Sequence, residues 1–202
     1  MQQTMQKLTT QILAQTAALP EGTPVSAKEL LHLGSRAAID QTLSRLVGRG
    51  QLLRAGRGLY VHPVETRFGE RPPSVETVVQ AIGKSKGEII ASHGAAAANA
   101  LGLTTQVPVR AIYLTSGPSR TVALGAQSIE LRHAPGWQLA MAGRPAGEAI
   151  RALAWLGKGS TSGAVQSLKK RLSAGELDEM VGVRARLPTW LAEQVSQLVV
   201  NR

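Results

Sequence analysis

Residues 24–64 read PVSAKELLHLGSRAAIDQTLSRLVGRGQLLRAGRGLYVHPV, and this stretch decides how the chain is understood. Ser35 precedes a run in which Ile39, Leu43, Leu46 and Val47 share one helical face, so the spacing predicts a capped helix reaching about Val47. At about 100° per residue the opposite face carries Ala37, Gln41, Ser44, Arg45 and Gly48. Upstream, Ser26 and Glu29 have capping-box spacing and predict a short helix over residues 27–32. Leu33-Gly34 makes the turn between the two helices, where glycine tolerates a positive φ. Downstream, Gly48-Arg49-Gly50 closes the second helix. Residues 51–54 and 59–62 then predict two strands, joined by the glycine-rich turn Ala55-Gly56-Arg57-Gly58.

Working outward, Met5, Leu8, Ile12 and Leu19 recur at helical spacing and predict a first helix near residues 3–18, ended by Leu19-Pro20-Glu21-Gly22. Helix, helix, turn, helix and basic hairpin follow the order of a winged helix-turn-helix. The outward face of the last helix is small, polar and basic, as a helix entering the major groove requires. Gln41 and Arg45 are the candidates to meet base edges. Ser35, Arg36, Arg49, Arg54 and Arg57 are the candidates for backbone contacts, with Ala37 and Ser44 permitting close approach. Arg36 lies nearer the buried side by angle, but its place in the first turn lets it reach a phosphate.

Beyond residues 1–65, residues 66–73 hold Arg67, Glu70, Arg71 and paired prolines, and read as a linker. Residues 74–202 read as a second, small mixed α/β domain with a helical tail. Val75, Val78, Val79 and Ile82 form a helical stripe, and the alanine-rich residues 93–101 form a second helix. Residues 109–115 predict a strand, and 120–124 with 128–133 a hairpin about Gly125. Helices return over 145–156, 163–172, 174–181 and 188–200, the third opened by the Ser173/Glu176 capping box. The expected fold class is α+β.

The formal net charge of +10 favours an anionic partner, nucleic acid first and a membrane surface second. Both parts of the chain are basic: residues 1–63 hold seven basic and three acidic side chains, so the remainder is no acidic counterweight. Lys169-Lys170-Arg171 is the densest charge run and reads first as a solvated helix face. The absence of cysteine excludes disulfides, thiolate metal sites and cysteine nucleophiles. No stretch has the length of a membrane span, and the expected location is the cytoplasm. Aromatic residues make up 3%, which weakens any reading built on base stacking.

The sequence carries no complete catalytic or cofactor motif. Gly83-Lys84-Ser85 lacks the upstream glycine of a phosphate loop, Val78 standing in its place, and Gly157-Lys158 fails likewise at Ala152. His32, His62, His93 and His133 have no ligand-spaced partner, so no metal is expected. Ser92-His93 sits in no nucleophile elbow, and His93 reads as a helix start. Glu65, Glu130 and Glu148 stand apart, so no enzyme and no cofactor are expected.

At SRAAIDQTLSRLVGRGQLLRAGRGLYVHP, and again at ASHGAAAANALGLTTQVPVRAIYLTSGPSR, the chain resembles the AbiEi family of antitoxins, over roughly residues 4–155. The resemblance implies the antitoxin of a type IV toxin–antitoxin system. Such a protein represses its own operon through an N-terminal winged domain that binds inverted repeats in duplex DNA. It counters a nucleotidyltransferase-like toxin without a stable complex. Two rival readings remain beside it: a solitary transcriptional regulator, and a winged-helix protein-interaction module that binds no DNA. An RNA binder is a third, opposed by the low aromatic content. With no obvious dimerisation helix, a monomer in solution is expected.

Overall fold

The structure is a computed structural model that describes the backbone of residues 2–200 and the side chains of 6–159 and 163–198. It is a mixed α+β protein. The chain divides into two compact units, Met1–Gly87 with Arg120–Glu130, and Glu88–Ser119 with Leu131–Arg202.

In the first unit, α1 (Gln2–Ala17) is followed by β1 (Val25–Ser26), α2 (Arg36–Gly48), β2 (Leu53–Arg54) and β3 (Leu59–Val61). The three strands form an antiparallel sheet in the order β1-β3-β2, with Val25 opposite Tyr60 and Arg54 opposite Tyr60 on the other side. Helices α1 and α2 share an apolar cluster with the sheet. Leu8 and Ile12 of α1 meet Leu30 and Leu52, and Ile39, Leu43 and Leu46 of α2 close the cluster. Of the expected stripes, Leu8 and Ile12 on α1 and Ile39, Leu43 and Leu46 on α2 are buried, while Val47, and Leu19 beyond the end of α1, are half-buried against the cluster. Met5, assigned to the α1 stripe, lies outside the residues whose side chains are described.

The expected short helix over 27–32 is absent. Those residues form successive turns closed by i to i+3 bonds, Glu29 N–H to the Ser26 carbonyl and Leu30 N–H to that of Ala27. The Glu29 N–H, which a cap would direct to the Ser26 hydroxyl, goes to the Ser26 carbonyl instead and closes a tight turn. Half of the box survives: the Ser26 N–H and hydroxyl both donate to Glu29 Oε2, at 2.6 and 2.7 Å. Gly34 does not adopt a positive φ.

Residues 66–73, expected as a linker, belong largely to a hairpin of β4 (Val64–Thr66) and β5 (Gly69–Arg71), with Glu65 opposite Glu70. Exposed Phe68 stands at its tip with the Arg67 guanidinium 4.6 Å from the ring centre. The helix α3 (Val75–Lys86) follows, capped by the Ser74 hydroxyl and ended by Gly87, with Val78, Val79 and Ile82 buried.

In the second unit, β6 (Ile90–Ser92) pairs antiparallel with β7 (Ala111–Thr115), and α4 (Gly94–Ala100) lies between them in sequence. The expected hairpin appears as β8 (Arg120–Leu124) and β9 (Gln127–His133). Residues 120–130 belong to the first unit, and 131–133 continue beside β7 in the second. Then come α5 (Gly136–Leu139), α6 (Pro145–Leu156), α7 (Thr161–Arg171), α8 (Ala174–Gly182) and α9 (Thr189–Val200). Ile150 and Leu153 of α6, Val165 and Leu168 of α7, Met180 of α8 and Leu191 and Val195 of α9 form the helical core. The Ser173/Glu176 capping box is complete at the start of α8. Hydrogen bonds from the Ser173 backbone and side chain hold the Glu176 carboxyl below its ordinary value.

Among the described residues no helix is long and apolar enough to cross a membrane, and no three His, Asp or Glu side chains gather to hold a metal ion.

Candidate nucleic-acid interface

The nine candidate contact residues all belong to the first unit, on α2 and the hairpin that follows it. Ser35 caps α2 with its hydroxyl accepting from the Ala38 N–H at 3.4 Å. Ile39, Thr42, Leu43 and Leu46 face inward, and Thr42 completes its own hydrogen bonding by donating to the Ala38 carbonyl at 2.8 Å. Arg36, Ala37, Gln41, Ser44, Arg45 and Gly48 are all exposed. A Cβ added to Gly48 would meet nothing within 4 Å.

Arg36 is not free. Its Nε donates to Asp40 Oδ2 at 2.8 Å, with the two side chains 63% and 48% exposed. The pair owes little to stability. Exposed i, i+4 pairs contribute about 0.3–0.5 kcal/mol, and the acid here follows the base, the weaker orientation. A cation in the first turn also opposes the helix dipole. Asp40 is the sole acid between Ser35 and Pro63, a span holding five arginines. Its angular position on α2 does not single Asp40 out, although the Arg-x-x-x-Asp spacing is plain in the sequence.

Gln41 and Ser44 lie near the middle of the outward face. Arg45 lies toward α1, where it lines a groove of about 660 Å3 with Arg49, Thr9 and Thr10. Gln51 lines the same groove, and its Oε1 is buried without a hydrogen-bond partner. The α1 hydroxyls on this flank carried no sequence signal, because Thr9 and Thr10 are ordinary helix-surface residues until α2 packs beside them.

The hairpin is shorter than expected but similarly placed. Arg54 is exposed on β2, and Arg57 is exposed in the turn. Gly56 and Gly58 have φ of 114° and 71°, values a side chain would resist, so the turn depends on both. The Ala55 N–H donates to the Leu59 carbonyl at 2.9 Å, and Ala55 also bridges to Leu124, steadying the base of the hairpin. Among the described residues no ion pair engages Arg49, Arg54 or Arg57.

The first unit thus presents an exposed helix face and an adjoining hairpin, both furnished with arginine. The chain belongs to DUF6088, a family of unknown function, which matches residues 11–177. The match reaches across both compact units. No curated protein matches the chain, and neither does any solved structure.

Proposed function

We propose that the first unit is a variant winged helix-turn-helix, the turns of residues 27–32 standing in for the helix before α2, that binds duplex DNA through α2 and the β2–β3 hairpin. On this reading the chain is no enzyme. It is a repressor of its own operon and the antitoxin of a nucleotidyltransferase-like toxin.

One observation carries the DNA reading: the outward surface of α2 and its hairpin holds five arginines against a single acid, and that acid is spent on Arg36. Large apolar side chains are missing from the same α2 face, so a duplex can approach the backbone. Gln41 and Arg45 supply the amide and guanidinium that read base edges. Ser35, Arg49, Arg54 and Arg57 fix the register through phosphates, with Arg36 held back by Asp40 and with Ala37 and Ser44 leaving room. If Arg49, Arg54 and Arg57 each engage one phosphate while Asp40 retains Arg36, log K against log salt has a slope of about −2.7, and affinity falls about 40-fold between 50 and 200 mM.

The test is fluorescence anisotropy with a duplex from upstream of the chain's own gene, over a salt series. Binding to inverted repeats with the steep slope supports the reading. Absence of duplex binding at low salt overturns it and leaves the winged domain as a protein-interaction module. The antitoxin half is tested separately, by asking whether the chain restores growth to cells expressing a nucleotidyltransferase-like protein from the adjacent reading frame.

A further inference from the structure

Tryptophan occurs three times in this chain, at 137, 155 and 190. The three come from α5, α6 and α9, yet all line one cavity of the second unit, about 300 Å3 in volume. That volume is at the small end of sites that hold a small organic ligand. Trp137 and Trp190 rest against the helical core but remain half-buried, and Trp155 is 37% exposed. Indoles serving only as core filler would be covered.

The remaining lining is partly polar. His93 caps α4, its Nδ1 accepting from the Ala95 N–H at 3.3 Å. Gln138 is half-buried, and no hydrogen bond engages its side-chain amide among the described residues. A donor and an acceptor are therefore available beside the indoles.

Beneath them lies Arg151, 2% exposed. Its Nη1 donates to the carbonyls of Gln138 and Ala140 at 3.2 and 3.4 Å, and its Nη2 to Glu148 Oε1 at 2.9 Å. Ser92 Oγ donates to Glu148 Oε2 at 2.5 Å, while Arg151 Nε has no partner. Stability is a weak reason to bury such a pair, since apolar residues of similar volume often do as well. The guanidinium instead fastens α5, the short helix that carries Trp137 and Gln138. Gly94 completes the arrangement: a Cβ there would lie 2.5 Å from the Arg151 carbonyl and 2.6 Å from Trp155 Cβ. Only glycine lets α4 sit this close to α6 and bring His93 to the rim.

We infer that this cavity binds a single nucleobase. The indole faces stack on its ring, the Gln138 amide reads its hydrogen-bonding edge, and Arg151 is a positioning residue that holds α5 in register. Aromatic faces accept any base, and an amide complements an edge that both donates and accepts. The net charge of +10 draws a ligand that carries phosphate. One cavity holds one base, which is compatible with a chain too poor in aromatics for an extended stacking platform. The base comes either from a free nucleotide or from an unpaired position in a strand. The inference rests on the second unit alone and stands apart from the DNA reading of α2.

Because every tryptophan lines the cavity, intrinsic emission reports directly on its occupation. The full chain is titrated with AMP, GMP, ribose 5-phosphate and N-acetylphenylalaninamide, then with a single-stranded oligonucleotide and its abasic counterpart, with calorimetry as a second readout. AMP or GMP is expected to change the emission saturably and ribose 5-phosphate to leave it unchanged. Gln138→Ala is expected to weaken binding about tenfold, the loss of one well-placed hydrogen bond. Ala154→Leu, which fills the cavity, is expected to abolish binding. Circular dichroism checks that both variants are folded, and Gln138→Ala decides alone if the other is not. Tighter binding of the oligonucleotide than of its abasic form assigns the base to a strand, and tighter binding of the mononucleotide assigns it to a free nucleotide. No response to any base-bearing probe overturns the inference. So does an equal response to ribose 5-phosphate, or saturation by the phenylalanine amide alone, which marks a socket for a partner's side chain.

Discussion

Asp40→Ala tests the DNA reading by its sign. Asp40 holds Arg36 at 2.8 Å on the exposed side of α2 and is the one negative charge between Ser35 and Pro63. Placed about 7 Å from a phosphate in water, it is repelled by about 0.6 kcal/mol, and screening at 0.1 M salt roughly halves that. Two nearby phosphates therefore cost about 0.6 kcal/mol. Releasing Arg36 to a phosphate adds a gain of similar size, so the variant is expected to bind duplex more tightly by about 1 kcal/mol, roughly fivefold. The salt slope should steepen by about 0.9, one further phosphate contact. Stability should hardly change. The lost ion pair is worth about 0.3–0.5 kcal/mol, and alanine recovers a similar amount in helix propensity. Anisotropy with duplex DNA at several salt concentrations, beside a thermal melt, measures both. An intact fold with unchanged or weaker binding and the same slope would show that the outer face of α2 is not where a duplex lies.

Other expectations follow from single residues. Arg45→Ala should weaken specific binding by about 1–3 kcal/mol and relax preference at one base pair, read by competition with substituted duplexes. Gly48→Ala should stabilise the helix by about 0.5–1 kcal/mol, since an added Cβ meets nothing. If a duplex approaches that backbone, the same variant binds DNA less well despite melting higher. Glu148→Ala leaves the buried Arg151 guanidinium without its carboxylate and should cost about 3 kcal/mol in denaturant unfolding. Hydrogen bonding lowers the Glu176 carboxyl in the folded chain, so its contribution is present at neutral pH and lost as pH falls through the lowered value. Acid titration of the melting temperature should be shallower in Glu176→Gln than in the natural chain.

Legibility followed the range of the interactions involved. The Ser35 cap, the buried stripe of α2, the glycine turn after Arg54 and the Ser173/Glu176 box were readable because each is completed within a few residues. The Ser26/Glu29 box misled for a related reason. Glu29 reaches back to Ser26 as the spacing suggests, but the Glu29 N–H bonds the Ser26 carbonyl and the chain closes tight turns in place of a helix. The hairpin over residues 64–71 was hidden because its strands of three residues are largely exposed and hold a single apolar side chain, Val64, too few for an alternating pattern. Composition likewise concealed the tryptophan cavity. A content of 3% aromatics describes the chain as a whole and says nothing about three residues meeting at one place.

By itself the sequence determined the longer helices with the Ser35 and Ser173 caps, the arginine-bearing outer face of α2, the tight turn after β2 and the net positive charge. Periodicity, capping geometry and glycine's tolerance of positive φ act locally, and each leaves its mark in consecutive letters. Tertiary structure alone decided that two residues of β1 pair with β3, that residues 120–130 join the first unit, and that Arg151 is buried under α5. It also decided that Trp137, Trp155 and Trp190 share a cavity. Such contacts are selected by burial and hydrogen-bond satisfaction between segments remote in the chain, and that selection has no period to read.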